Sequence, residues 1–205
     1  LCDWSSDVCS SDLWFDACLP PILDRLRDGD LIIFTADHGD MMGDHGLILK
    51  GLMHYRGTLQ VPLVIADPRR NAARTQSLAS SIDLGPTLMD LCHISGYHGI
   101  QGHSLAPILD DASTSVRDHV LVEDDINIAF GGPVPARTRT LLTATHRYTR
   151  HSTGEEGLYE LGTEDDERTN LAATETTLSH EMVDKLTDSL LTHSDAARGV
   201  YPSAM

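Results

Sequence analysis

The residues best able to do chemistry in this chain stand together in "TADHGD", residues 35–40. Asp37 supplies carboxylate oxygen, the donor that a hard divalent cation prefers. His38 beside it adds an imidazole, which can ligate or donate a hydrogen bond. Gly39 lets the backbone turn away from such a site. Lys50 follows in "GDHGLILKGLMHYRG". A cation that polarises an ester and an ammonium that neutralises the remaining charge together suit a tetrahedral oxyanion. The bland alternative is a capped turn, because Asp and Gly favour turns where strands end. Taken alone, the tripeptide does not decide between the two.

The elements that must position these residues can be traced outward. "LIIFTA" (31–36) is a short, continuously apolar run, which predicts a central parallel strand buried on both faces. "VPLVIA" (61–66) predicts a second. Asp37 and His38 then fall at the carboxyl end of a strand, where open α/β sheets collect their ligands. Upstream, Ile22, Leu23 and Leu26 have helical spacing, with a start near Pro20 and Pro21 and an end at Gly29. Downstream, Asp83 can cap a helix running to about Cys92, with Pro86 in its first turn. Leu84, Leu88 and Leu91 form its apolar face, and Cys92 is expected to be a small buried hydrophobe.

After about residue 115 the pattern changes. "HVLVE" (119–123), "RTLLTAT" (139–145), "HRYTRH" (146–151) and "GLYEL" (157–161) are closely spaced β-like pieces, which predict an antiparallel meander. The last helix, "LSHEMVDKLTDSLL" (178–191), carries Leu178, Met182, Leu186 and Leu190 on one stripe. The predicted class is α/β: part of a mixed sheet with flanking helices, then a small C-terminal antiparallel sheet and helix.

The blocks "LIIFTADHGDMMGDHGLILKG…YRGTLQVPLVIADP", "SLASSIDLGPTLMDLCHI" and "IQGHSLAPIL", in that order, resemble the C-terminal half of a type I sulfatase of the alkaline-phosphatase-like superfamily. "RTRTLLTATHRYTRH" and "GLYELGTEDDERTNLA" are similar to that family's C-terminal subdomain. The resemblance runs from Trp14 to about Ala172. It implies that Asp37 and His38 are metal ligands, usually to calcium, and that Lys50 contacts the sulfate group and the leaving oxygen. His45 and His54 are possible pocket residues, with a structural use of His45 favoured over direct catalysis. Asp40 and Asp44 are expected to be loop-capping or solvated carboxylates, and His103 a surface contact. The implied substrate is a small-molecule or carbohydrate sulfate ester.

The same family uses a formylglycine nucleophile made in a Cys/Ser-x-Pro/Ala-x-Arg motif, and none of Cys2, Cys9, Cys18 and Cys92 is followed by a suitable Pro and Arg. The paired N-terminal aspartates of the metal shell are also missing, so Asp37 and His38 leave calcium short of its roughly six to eight ligands. The expectation is therefore a sulfatase whose N-terminal half lies outside this sequence. The 205 residues alone would then be inactive and poorly soluble, because an unaccompanied "LIIFTA" strand exposes apolar faces and open edges. Two alternatives stay open: a phosphonate or phosphate ester hydrolase of the same superfamily, and a non-catalytic binding module that keeps half the fold.

Residues 14–115 are expected to belong to the catalytic α/β domain and 116–205 to a C-terminal α+β subdomain. The first 13 residues, "LCDWSSDVCSSDL", resemble translated sequencing-adapter read-through and are expected to play no structural part. A net charge of −16 argues against nucleic acid and anionic lipid as partners, since both require a basic face. No apolar run approaches the roughly 20 residues of a membrane span. The four cysteines contain no Cys-x-x-Cys pair, so no structural zinc pattern is present.

Overall fold

The computed structural model describes residues 10–50, 53–96, 99–126, 136–163 and 167–198. The chain forms two compact units, Leu1–Phe34 with Leu63–Ala72, and Thr35–Pro62 with Ala73–Met205.

In the first unit, helix α1 (Ser10–Cys18) and the short α2 (Pro20–Leu23) precede strand β1 (Ile32–Thr35), which pairs with β2 (Leu63–Ala66). Prolines occupy the first positions of α2, where the missing N–H costs nothing. A helix thus begins at the prolines as expected, and a separate helix over Ser10–Cys18 precedes it. Gly29 has φ +94°, the left-handed conformation that ends such a segment. The two strands are not buried on both faces as their composition suggests: Phe34, Leu63 and Val64 are exposed, as are Trp14 and Ile22. The apolar run has the strand conformation without the neighbours that such a run is built to meet.

In the second unit, a 3₁₀ turn (Ser81–Asp83) leads into α4 (Leu84–Leu91). Asp83 stands at the N-cap of α4 as expected but makes no side-chain cap bond there; it serves instead in a capping box with Ser80 at the start of the 3₁₀ turn, its carboxylate accepting the Ser80 N–H at 2.8 Å. Asp83 is fully buried, accepts the His103 N–H at 2.8 Å and pairs with Arg117. Of the predicted apolar face, Leu91 is buried while Leu88 is exposed. Cys92 is exposed, contrary to its expected burial, because it sits just past the last turn of α4. A short α5 (Ala106–Asp110) follows.

The C-terminal meander is present as predicted. Strands β3 (Val120–Ile126), β4 (Ala136–Leu142), β5 (His146–His151) and β6 (Glu156–Glu160) pair antiparallel in sequence order. Leu121 faces Leu141, Leu141 faces Tyr148 and Tyr148 faces Leu158, giving one apolar row across all four strands. Helix α6 (Thr176–Arg198) covers that row with Met182 and Leu186 buried and Leu178 and Leu190 packed at the margin. Each fully buried side chain of this kind contributes about 1.5–3 kcal/mol. Because side chains alternate along a strand, the opposite face is equally well defined, and it is polar. There Thr140 faces Thr149, Thr138 faces His151, and Arg147 faces Tyr159. Among the described residues no helix is long and apolar enough to cross a membrane.

Candidate active site

Asp37, His38 and Gly39 follow β1 directly, and all the site geometry below lies within the second unit. The His38 backbone N–H donates to Asp37 Oδ1 at 3.0 Å, and His38 Nε2 lies 3.5 Å from Asp37 Oδ2. That amide bond holds the Asp37 carboxyl below the ordinary carboxylate range, and the nearby positive charge of Lys50 adds a smaller pull in the same direction. His38 Nδ1 lies 2.7 Å from the Gly39 carbonyl, which can only accept, so Nδ1 carries the proton. The lone pair of Nε2 then accepts from Lys50 Nζ at 2.6 Å. Two residues twelve apart in sequence are thereby brought into contact.

Gly39 has a different function from the one its sequence context suggests. Its φ is not positive; a Cβ there would stand 2.0 Å from the Gly57 carbonyl oxygen. The residue is needed for close backbone approach, and its N–H donates to the Thr58 carbonyl at 2.9 Å. The loop between Gly39 and Lys50 is tightly wound. Asp40 accepts the Met42 N–H and Asp44 the His45 N–H, each at 2.9 Å. Met42, His45 and Leu49 all have positive φ, a strained conformation for such side chains.

His45 and His54 go elsewhere. The His45 ring lies tilted against Tyr55, with centroids 4.0 Å apart. His54 is buried against the polar face of the meander, its Nδ1 2.8 Å from Thr140 Oγ1 and its Nε2 3.8 Å from Asp124 Oδ2. Burial pushes the His54 imidazole below its ordinary pKa. Neither histidine hydrogen-bonds to Asp37, His38 or Lys50 among the described residues. His54 and Tyr55 line a cavity of about 190 Å³ with Arg147, Thr149 and Tyr159, and the Asp37–His38–Lys50 group does not border it. His103 is exposed.

Sequence reasoning missed Arg147 and Glu167. Both are buried, with Arg147 Nε donating to Glu167 Oε1 and Nη1 to Thr149 Oγ1 at 2.8 Å. The guanidinium lies over the rings of Tyr55 and Tyr159, 4.8 and 4.4 Å from their centroids. Glu167 Oε2 accepts the backbone N–H of Arg56 at 2.8 Å, at the start of α3 (Arg56–Leu59). The available signal was β5 itself, where Arg147, Tyr148 and Thr149 are consecutively buried; an Arg in such a strand demands a carboxylate.

The donor set can be tested against a divalent cation by its chemistry. Asp37 offers a solvent-facing carboxylate, and the Nδ1–H···O=C bond of His38 fixes the tautomer that leaves Nε2 basic, as metal-ligating histidines require. The pair fits one side of a coordination shell once the Nε2 lone pair is released by Lys50, which holds it in this structure. No group of three or more His, Cys, Asp or Glu able to hold a metal occurs among the described residues.

Comparison with known proteins decides the family. A sulfatase family model matches residues 13–94. Arylsulfatase K of Gallus gallus is 33% identical over 168 residues, which is 77% of this chain and 31% of that protein. The chain belongs to the sulfatase family. An arylsulfatase of Clostridium perfringens is 29% identical over 150 residues, covering 71% of this sulfatase chain and 30% of its own length. Among solved structures, a phosphonate monoester hydrolase of Agrobacterium radiobacter superposes with TM-score 0.74 at 26% identity, over 89% of this chain and 39% of that one. A 2-O GAG sulfatase gives TM-score 0.71 at 27% identity, over 85% and 39%. The sulfatase chain spans about a third of the length of the curated relatives it matches.

Proposed function

We propose that the intact protein carrying this chain is a metal-dependent sulfuric ester hydrolase, with Asp37 and His38 as two ligands of one divalent cation, most simply Ca²⁺, and Lys50 as the residue that binds the sulfate. The observation that carries the reading is the 2.6 Å contact of Lys50 Nζ with His38 Nε2, which puts an ammonium beside the two donors. A bound cation would polarise the ester oxygen. His38 Nε2 has a single lone pair, so its ligation of a cation would release the Lys50 ammonium, whose three N–H groups would then neutralise charge on the sulfate oxygens and the departing oxygen. His38 is held by Gly39 so that its basic nitrogen faces the same space as the Asp37 carboxylate. The nucleophile, a formylglycine, would come from residues outside these 205, and the chain alone would then be inactive. The substrate class is a small-molecule or carbohydrate sulfate ester.

A second reading is hydrolysis of phosphonate or phosphate esters, favoured by the likeness to the phosphonate monoester hydrolase. Full-length protein assayed with 4-nitrophenyl sulfate and an aryl phosphonate monoester separates the two. Lys50→Ala is expected to lower kcat on the preferred ester by about 10²–10³-fold, the usual scale for losing one charge-stabilising donor. Unchanged turnover would remove Lys50 from the site, and turnover of phosphonate alone would select the second reading.

A further inference from the structure

We infer that Glu167 is a positioning residue for the Asp37–His38 corner, acting through helix α3. This rests on the proposed role of Asp37 and His38. The helix is only four residues long, and its N-cap, Tyr55, supplies no side-chain bond. Its first N–H groups therefore need an outside acceptor. Glu167 provides one from 111 residues away, taking the Arg56 N–H at 2.8 Å, where a negative charge also suits the positive end of the helix.

The carboxylate cannot drift. Its other oxygen is taken by Arg147, which is itself fixed by Thr149 and by the rings of Tyr55 and Tyr159. Glu167 also has φ +64°, a conformation that a non-glycine residue keeps only where its surroundings over-determine it. Further along α3, the Thr58 carbonyl accepts the Gly39 N–H at 2.9 Å, and the Gly57 carbonyl occupies the space that a Gly39 side chain would fill. Gly39 in turn accepts from His38 Nδ1 at 2.7 Å and so sets the ring. The chain of contacts is continuous: Glu167 to the Arg56 amide, α3 to Gly39, Gly39 to His38. A loosened α3 would displace Gly39 and turn the imidazole.

Hydrogen exchange followed by mass spectrometry on the full-length protein tests this without requiring turnover. In Glu167→Ala, the peptide containing Gly39 is expected to exchange about tenfold faster, as suits the loss of a charge-assisted bond. Peptides from β3 and α6, which do not hold Arg147, are expected to keep their protection. Glu167→Gln can keep one acceptor on the Arg56 amide but then sets its N–H₂ against the Arg147 guanidinium, so it is expected to restore the protection only in part. Arg56→Pro supplies a second variant: it deletes the N–H at a first helical position that proline accepts, leaves the Arg147–Glu167 pair intact and is expected to loosen Gly39 in the same way, whereas Arg56→Ala, which loses only the Arg56 Nε bond to Gln60, is expected to leave Gly39 protected. In kinetics, Glu167→Ala should lower kcat with KM nearly unchanged, and Glu167→Gln should lower it by less. Unchanged exchange at Gly39 in both Glu167→Ala and Arg56→Pro overturns the inference. So does equal loosening of the meander, which would make Glu167 a general support for the sheet. A wild type inactive on sulfate esters overturns the proposed function, and the exchange result still decides this inference.

Discussion

The β1–β2 pair and the C-terminal meander are both built from β-rich apolar text, yet they solve burial in opposite ways. Leu141 on β4 is 0% exposed and Val64 on β2 is 55% exposed. The meander has four strands and a covering helix of its own, so each apolar side chain finds neighbours from the same unit. The β1–β2 sheet has two strands, too few for independent stability in water. The difference teaches that apolar composition specifies a demand for neighbours and does not supply them. An exposed apolar face of this kind favours association.

The contrast should be largest in paired truncations. Leu141→Ala removes a side chain packed among Tyr148, Leu158 and Met182 and is expected to cost about 2–5 kcal/mol, the range for a core leucine. Val64→Ala, at an exposed position, should stay within about 0.5 kcal/mol. Urea denaturation followed by tyrosine fluorescence and circular dichroism reads both. Comparable losses would mean that the two regions are not differently packed, and the comparison would fail.

A smaller contrast lies between the two faces of the meander. Its apolar face is filled by Leu141, Leu158, Met182 and Leu186, with the Tyr148 hydroxyl pushed up to about 12 by burial, whereas its polar face buries His54 against Thr140, with Asp124 on β3 and Arg147 and His151 on β5 around it. The folded-state pKa of His54 is lowered, chiefly by burial and against the pull of Asp124. Above about pH 6.5 the ring is neutral folded or unfolded, and it adds no pH dependence. Below that value the unfolded chain takes up a proton that the native chain resists, so stability falls with pH until the lowered native pKa is reached. Thermal midpoints between pH 7 and 5 should therefore fall more steeply in the wild type than in His54→Asn. Parallel slopes would show that the polar face is no more sensitive than the apolar one.

How far these features were legible follows from the range of the interactions. The meander and the Leu178–Met182–Leu186–Leu190 stripe were readable because alternation and helical period are local. Asp37, His38 and Lys50 stood out because ionisable groups after an apolar strand are conspicuous. What was not legible depends on distant partners. Nothing near Gly39 reveals that Gly57 will press against it, and nothing near Arg56 reveals a carboxylate 111 residues away. Nothing near Asp83 shows that its carboxylate will reach back to the Ser80 N–H and forward to the His103 N–H. Cys92 looked like core because α4 was taken one residue too far.

The smallest expected effect separates packing from charge as the force holding α6 on the meander. Lys185 Nζ on α6 lies 2.6 Å from Asp118 Oδ2, just before β3, and this bond together with His119 brings the Asp118 carboxyl down to about 2. The shift looks substantial, but both side chains are exposed, so solvent screens the pair and its worth is about 0.2–1 kcal/mol. Whatever it adds is present above the unfolded carboxyl pKa and is lost as pH falls toward 2. Lys185→Ala should accordingly lower stability by less than about 1 kcal/mol near pH 7, with the loss shrinking in high salt. Met182 and Leu186 remain buried on the apolar row in either case, which is why the helix should stay docked. A larger, salt-insensitive loss in Lys185→Ala would mean that the meander depends on its ion pair rather than on its own core.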